Sequence, residues 1–150
     1  MAKDFTHTDY YTASLTRQAD LKHLKTNQNS IIFSVYCAGV SIECMFRAYI
    51  TKYTKEFDSK HNLEKLYEKS LLASQLEVGE KEKIASAVKK ANNIWNNDLR
   101  YVSEKRMKRK IAHKNVKTGF KDVNKYIERF NSEIFDSTEL IIKIATSKWT

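Results

Sequence analysis

The feature that most constrains the fold is the scarcity of helix-breaking residues, because the 150 residues include no proline and only three glycines. Proline interrupts helices, and tight hairpin turns depend on glycine, so this sequence favours long helices over sheets. Hydrophobic residues make up 41% of the chain and charged residues 30%, which is typical of a folded protein. At this length we expect residues 1–150 to form a single domain with its own core.

Helical periodicity runs through most of the sequence. Apolar spacing predicts a first helix from Asp9 to about Thr26. The stretch SIIFSVYCAGVSIECMFRAYI, within residues 30–53, is apolar on most of its circumference and predicts the most buried helix. Further helices are predicted at HNLEKLYEKS, after a turn at Gly79, and from Val123 to near the C-terminus. The chain is therefore predicted to be all-α, an up-and-down bundle of four to five helices.

Several residues carry local structural predictions. Gly39 in the second helix suggests a close helix crossing, because glycine is otherwise unfavourable there. Glu43 and Arg47 have the i, i+4 spacing of an intrahelical ion pair. Ser59, His61 and Asn62 are candidate N-caps for the third helix. Of these, His61 is interpreted as a cap or packing residue rather than a ligand.

The cysteines and histidines show no spacing typical of a metal site or a disulfide framework. Cys37 and Cys44 lie two helical turns apart, about 10 Å, which is too far for a disulfide, so both are predicted to be buried thiols. The sequence has no CxxC, HExxH or phosphate-binding glycine loop. We therefore predict no metal and no cofactor. The absence of a signal peptide and of a long apolar run predicts a cytoplasmic protein without a membrane anchor.

The positive charge is concentrated in one segment. Of the net charge of +9, residues 99–125 carry +8, with 10 Lys and Arg against 2 Asp and Glu. Such a concentration is typical of a polyanion-binding surface, because neutralising phosphates releases counterions. A solvated basic face that only maintains solubility is the alternative interpretation.

Within this segment, SEKRMKRKIAHKN contains Arg106 and His113, separated by six residues. An arginine can stabilise charge that develops on a phosphoryl group, and an imidazole can transfer a proton near neutral pH. Cleavage of RNA by its own 2′-hydroxyl needs little more than these two groups. Tyr10, Tyr11 and Trp95 are candidates for stacking on bases, although aromatics at helical spacing are more often part of a core or an interface.

Four stretches, in this order, resemble the HEPN family of small all-α nucleic-acid-processing and defence proteins. AGVSIECMFRAYI is similar to its buried second helix, HNLEKLYEKS to its His-x-Leu helix start, and WNNDLRY to its fourth-helix end. RMKRKIAHKN, followed by a long amphipathic helix, is similar to its R-x(4 to 6)-H signature. The resemblance covers about residues 8–147. Met107 and Asn115 depart from the family pattern, which commonly has a polar residue and, in many members, a tyrosine at these positions.

The resemblance implies that Arg106 and His113 are the catalytic residues of a metal-independent endoribonuclease. In active members of the family, these groups from two subunits line one cleft of a homodimer. The remaining polar residues of the segment are candidates for holding RNA: Lys108, Arg109, Lys110, Lys114 and Asn115. The resemblance also implies a toxin or phage-defence setting, with an antitoxin or nucleotidyltransferase as a possible partner. The alternative is a non-catalytic nucleic-acid-binding or scaffold module, since the family includes such members.

Overall fold

A computed structural model of the chain describes residues 5–26, 31–56, 60–95, 109 and 123–150, and every regular element in them is helical. The prediction of an all-α bundle is confirmed. The helices are α1 (His7–Thr26), α2 (Ile31–Tyr53), α3 (Leu63–Ser70), α4 (Val78–Ile94) and α5 (Val123–Lys148), with a short 3-10 turn at Leu72–Gln75. None of the described helices is long and apolar enough to span a bilayer.

Helix α2 lies at the centre of the bundle and contacts α1, α3, α4 and α5. Its fully buried side chains supply much of the core: Val35, Ala38, Ile42, Met45, Phe46 and Tyr49. Its contacts with four helices explain why most of its circumference is apolar. One stripe along it is only partly buried or exposed: Phe33, Tyr36, Val40, Cys44 and Arg47.

Helices α1 and α2 pack closely where two buried serines face each other. Ser14 Oγ donates a hydrogen bond to the carbonyl of Ser41 at 2.6 Å, and Ser41 Oγ donates to the carbonyl of Ser14 at 2.9 Å. Small side chains allow the two backbones to approach, and the reciprocal bonds satisfy hydroxyl groups that are fully buried.

The close approach predicted at Gly39 involves a side chain from another helix. The indole of Trp95, just after α4, covers Gly39, and a Cβ built there would overlap its Cδ1, Cγ and Nε1 atoms. Trp95 is 2% exposed. Gly39 thus joins the middle of α2 to the C-terminal end of α4.

The helix starts follow capping rules, with one correction. Asn62 is the N-cap of α3, and its side chain accepts a hydrogen bond from the Lys65 amide at 3.0 Å. The predicted turn at Gly79 is wrong in position, because α4 begins at Val78 and Gly79 is its second residue. A capping box between Glu77 and Glu80 starts the helix before the glycine.

Aromatic contacts hold the end of α5 against α1 and α2. Trp149 stacks on Tyr11, with ring centroids 4.6 Å apart, and meets the edge of Tyr49 at 5.2 Å. The ammonium of Lys52 lies 4.3 Å from the Trp149 ring centroid, and Tyr49 donates a hydrogen bond to the carbonyl of Ala145. These contacts fix the direction of α5.

Replacing Gly39 with alanine is expected to lower the free energy of unfolding by about 2 kcal/mol or more, because the new methyl group displaces the buried indole. Gly79→Ala is the matched control, since nothing lies within 4 Å of a Cβ at that position. We expect it to be neutral or stabilising by up to about 1 kcal/mol. Urea denaturation of both variants measures the difference, and equal stabilities would contradict the packing described for Trp95.

Candidate functional site

Most of the predicted catalytic and RNA-binding residues fall outside the described part of the chain. These are Arg106, Lys108, Lys110, His113, Lys114 and Asn115. Arg109 is described: its backbone is helical and its side chain is exposed. Arg109 is therefore accessible to a phosphate group.

The two helices that flank the basic segment are antiparallel. Glu80, near the start of α4, forms a 3.2 Å ion pair with Lys148 at the end of α5. Lys90, late in α4, lines the same shallow cavity of about 170 Å³ as Glu133, early in α5. The end of α4 and the start of α5 therefore lie at the same end of the bundle, here called the α4–α5 end. Residues 96–122 connect these two helix ends.

A polar cluster of Glu43, Arg47 and His61 joins α2 to the residues that precede α3. Glu43 is 8% exposed, although it carries a carboxylate. Arg47 Nη2 donates to Glu43 Oε1 at 2.9 Å, which confirms the predicted intrahelical pair. The same guanidinium nitrogen donates to the carbonyl of Lys60 at 2.9 Å. His61 Nδ1 lies 2.5 Å from the same Glu43 oxygen. The carboxylate thus holds two cationic or proton-donating side chains at one atom.

Two residues after His61, hydrogen bonds join the start of α3 to the C-terminal part of α4. The amide of Leu63 donates to Asn92 Oδ1 at 2.9 Å, and Asn92 Nδ2 lies 3.3 Å from Glu64 Oε1. Asn92 comes one turn of helix before Trp95. The polar cluster, the first turn of α3 and the α4–α5 end are therefore parts of one connected region.

The arrangement of His61 is chemically distinctive. A carboxylate only accepts hydrogen bonds, so the contact with Glu43 assigns the proton to Nδ1 and leaves the Nε2 lone pair of the neutral ring available. The His61 side chain is 41% exposed, whereas that of Glu43 is 10% exposed. An imidazole oriented by a buried carboxylate and open to solvent on its other side is a general acid–base group in form.

The sequence did not indicate the contact between Glu43 and His61. These residues are 18 positions apart and lie on different elements. The i, i+4 spacing predicted the pair of Glu43 with Arg47, but no local pattern predicts which carboxylate an imidazole will meet after a chain reversal. The predicted role of His61 as a cap is taken by Asn62.

The aromatic residues considered for base stacking make contacts within the chain. Trp95 is buried on Gly39, and its Nε1 has no hydrogen-bond partner among the described residues. Tyr11 stacks on Trp149, and Tyr10 meets the edge of Phe5 with ring centroids 5.8 Å apart. The interpretation of Tyr11 and Trp95 as packing residues is therefore supported.

The two cysteines are free thiols: Cys37 is buried, as predicted, whereas Cys44 is only partly buried. Burial raises the pKa of Cys37, and burial, with a smaller contribution from the neighbouring Glu43 carboxylate, raises the pKa of Cys44 to about 11. Neither has the lowered pKa of a nucleophilic cysteine. Within the described ranges, no group of three or more His, Cys, Asp or Glu side chains is placed to hold a metal ion.

Replacing Arg47 with methionine is expected to lower the free energy of unfolding by about 3 kcal/mol, because it leaves a buried carboxylate with one partner fewer. The double variant Glu43→Gln, Arg47→Met should lose less than the sum of the single effects, since a neutral amide tolerates burial better. Arg17→Met is the control: its pair with Asp20 is about half exposed, so we expect a loss below about 0.5 kcal/mol. Equal losses for Arg47→Met and Arg17→Met in urea denaturation would contradict a buried ion pair.

Cys44 is expected to react slowly with iodoacetamide in the folded protein. A pKa near 11, against the ordinary value of 9.0, leaves about a hundredfold less thiolate at pH 8. Mass spectrometry of timed samples, with a urea-unfolded control, measures both rates. Alkylation of the folded protein as fast as that of the unfolded protein would contradict the burial of this thiol.

Comparisons with protein-family models, with curated proteins and with solved structures found no match to this chain. Functional inference for the chain therefore depends on its residues, its charge distribution and the contacts within its bundle.

Proposed function

We propose that this chain is a metal-independent endoribonuclease of the HEPN type that acts as a homodimer in the cytoplasm. The observation that carries the proposal is the net charge of +8 in residues 99–125, around Arg106 and His113. A charge of this density on a short segment binds a polyphosphate backbone through counterion release. The remaining residues carry a net charge of only +1, so the attraction is local.

The chemistry follows from the residue types in the segment. Arg106 stabilises the negative charge of the phosphorane formed when the 2′-oxygen attacks phosphorus. His113 transfers a proton in this reaction, since an imidazole exchanges protons efficiently near neutral pH. Lys108, Arg109, Lys110 and Lys114 hold the RNA backbone, with Asn115 as a hydrogen-bonding side chain. The exposure of Arg109 is consistent with this role.

The architecture supports the same proposal. The bundle has a buried second helix, a third helix that starts just after His61, and a long last helix after the basic segment. These elements occur in the order that the resemblance to HEPN proteins implies. In that family the active cleft is shared by two subunits, so the proposal includes a dimer, in a toxin or phage-defence setting with an antitoxin or nucleotidyltransferase partner.

A binding or scaffold module that grips RNA without cleaving it is the second candidate function. The charge concentration supports it equally well, since binding needs the cations but not His113. The two functions predict different effects on cleavage and binding when the His113 imidazole is removed. A binding module loses affinity gradually as lysines are removed, whereas a nuclease loses cleavage when His113 alone is replaced.

The purified protein is expected to cleave total RNA and tRNA in the presence of EDTA, and Arg106→Ala and His113→Ala are each expected to lower the rate at least about a hundredfold. His113→Ala should still bind RNA, which a filter-binding assay at low salt measures. Arg17→Ala and His23→Asn, on α1, are matched controls that should cleave as the wild type does.

The same proteins test the shared cleft. Mixing inactive Arg106→Ala and His113→Ala subunits should restore part of the activity, because each mixed dimer then has one Arg106 and one His113 in its shared cleft. A monomer in sedimentation at micromolar concentration would contradict the dimer. RNA binding without cleavage by any of the proteins would favour the binding module.

A further inference from the structure

The partly exposed stripe of α2 is apolar along most of its length. Its five members recur every three or four residues and therefore lie on one face of the helix. Phe33 is 52% exposed, and Tyr36 and Val40 are partly buried against the core. Arg47 is the charged member, and it is paired with Glu43 at 2.9 Å. This face, here called the α2 stripe, thus combines aromatic and aliphatic groups with one compensated cation.

The composition of the α2 stripe differs from that of a solvated helix face. The exposed positions of α4 include four lysines and a glutamate: Lys81, Glu82, Lys83, Lys89 and Lys90. The α2 stripe contains neither residue type. Aromatic side chains and arginine are enriched where proteins meet, whereas lysine and glutamate are depleted there. The stripe therefore has the composition of a protein interface.

The α2 stripe is symmetric about Val40. Phe33 and Arg47 lie seven residues to either side of it, and Tyr36 and Cys44 lie four residues to either side. A twofold axis makes one surface contact itself, so that each position meets its counterpart in reverse order. If two copies of α2 cross antiparallel at Val40, Phe33 of one copy meets Arg47 of the other. The stripe is therefore complementary to itself.

The residue pairs that this symmetry creates are chemically matched. A guanidinium on the face of a phenyl ring gains a cation–π interaction, and Phe33 opposite Arg47 provides it at both ends of the contact. Tyr36 opposite Cys44 places a polarisable sulfur against an aromatic ring. Val40 meets Val40 at the centre. A second copy of this chain therefore fits the stripe along its full length.

The length and position of the stripe suit a contact between subunits. From Phe33 to Arg47 it extends about 21 Å along the helix, and two helices that cross at about 20° stay in contact over such a length. The Tyr36 ring lies 6.5 Å from that of Trp95, between ring centroids. The stripe therefore borders the C-terminal end of α4 at one end and the polar cluster at the other.

We propose that the α2 stripe is the surface through which two copies of this chain form a homodimer, with α2 antiparallel to α2 and Val40 of both copies on the twofold axis. This inference rests on the proposed function, whose shared cleft needs two subunits, and it specifies the surface that joins them. Every residue of this contact lies in the described part of the chain.

Charge placed on the α2 stripe is expected to separate the subunits. Val40→Glu and Phe33→Glu should each raise the Kd of the dimer at least about tenfold in sedimentation velocity, because each dimer then buries two carboxylates. Phe33→Glu is included because Phe33 is more exposed than Val40, so this variant keeps the core intact. Val78→Glu is the matched control: this valine is 73% exposed at the start of α4, and its replacement should leave the dimer unchanged.

Disulfide crosslinking tests the antiparallel arrangement. In a chain whose two cysteines are replaced by alanine, Val40→Cys should form a covalent dimer when copper phenanthroline is added, as seen on a non-reducing gel. Phe33→Cys should not, because the two copies of residue 33 are about 21 Å apart and a disulfide needs Cα atoms within about 7 Å. Crosslinking of both variants would indicate parallel helices and overturn the arrangement. Ala19→Cys, exposed on α1, is the control for random collision.

The outcomes separate the interface from the ribonuclease. A wild type that sediments as a monomer at micromolar concentration would overturn the interface. A dimer that persists in both glutamate variants, with no crosslink at residue 40, would overturn the interface and leave the ribonuclease standing. If the glutamate variants are monomeric with helical circular dichroism, the interface stands even where the wild type cleaves no RNA, and only the proposed function fails. Should either glutamate variant lose its helical signal, the crosslink at residue 40 decides.

Discussion

The contact of Trp95 with Gly39 is the constraint on which the α4–α5 end of this bundle depends. A buried indole removes enough apolar surface from water to stabilise the fold by about 5 kcal/mol. The ring reaches the centre of α2 because residue 39 has no side chain. This contact fixes the end of α4 against the buried helix, and the basic segment follows directly in the sequence. The position of Trp95, the last described residue before that segment, is therefore set by core packing.

The polar cluster adds a second, chemically different constraint about one helical turn after Gly39 on α2. Burying the Glu43 carboxylate is costly unless partners satisfy it, and Arg47 and His61 both do so. The guanidinium also binds the carbonyl of Lys60, so the residues before α3 are held to α2 by both backbone and side-chain contacts. Such a cluster stabilises the fold less than an apolar replacement of the same volume would, but it specifies where an imidazole lies.

Features that depend on local sequence were predictable, and features that depend on distant contacts were not. The all-α bundle, the buried second helix, the Glu43–Arg47 pair and the N-cap candidates including Asn62 follow from spacing along one helix. The start of α4 was misplaced because glycine usually marks a turn, whereas the Glu77–Glu80 capping box begins the helix earlier. The neighbour of Gly39 and the partner of His61 come from residues 56 and 18 positions away, and periodicity within one helix carries no information about them.

In the candidate site, too, features that depend on local sequence were predictable and distant contacts were not. Charge counting located the basic segment and its Arg106 and His113, because composition is a local property. It gave no indication of the contacts of His61, which lies 38 positions before that segment begins. What the fold adds is a contact between α3 and α4: the Leu63 amide donates to Asn92 Oδ1, which places the start of α3 beside the C-terminal part of α4. A nearly neutral bundle with its positive charge in one segment attracts a polyanion to that segment first.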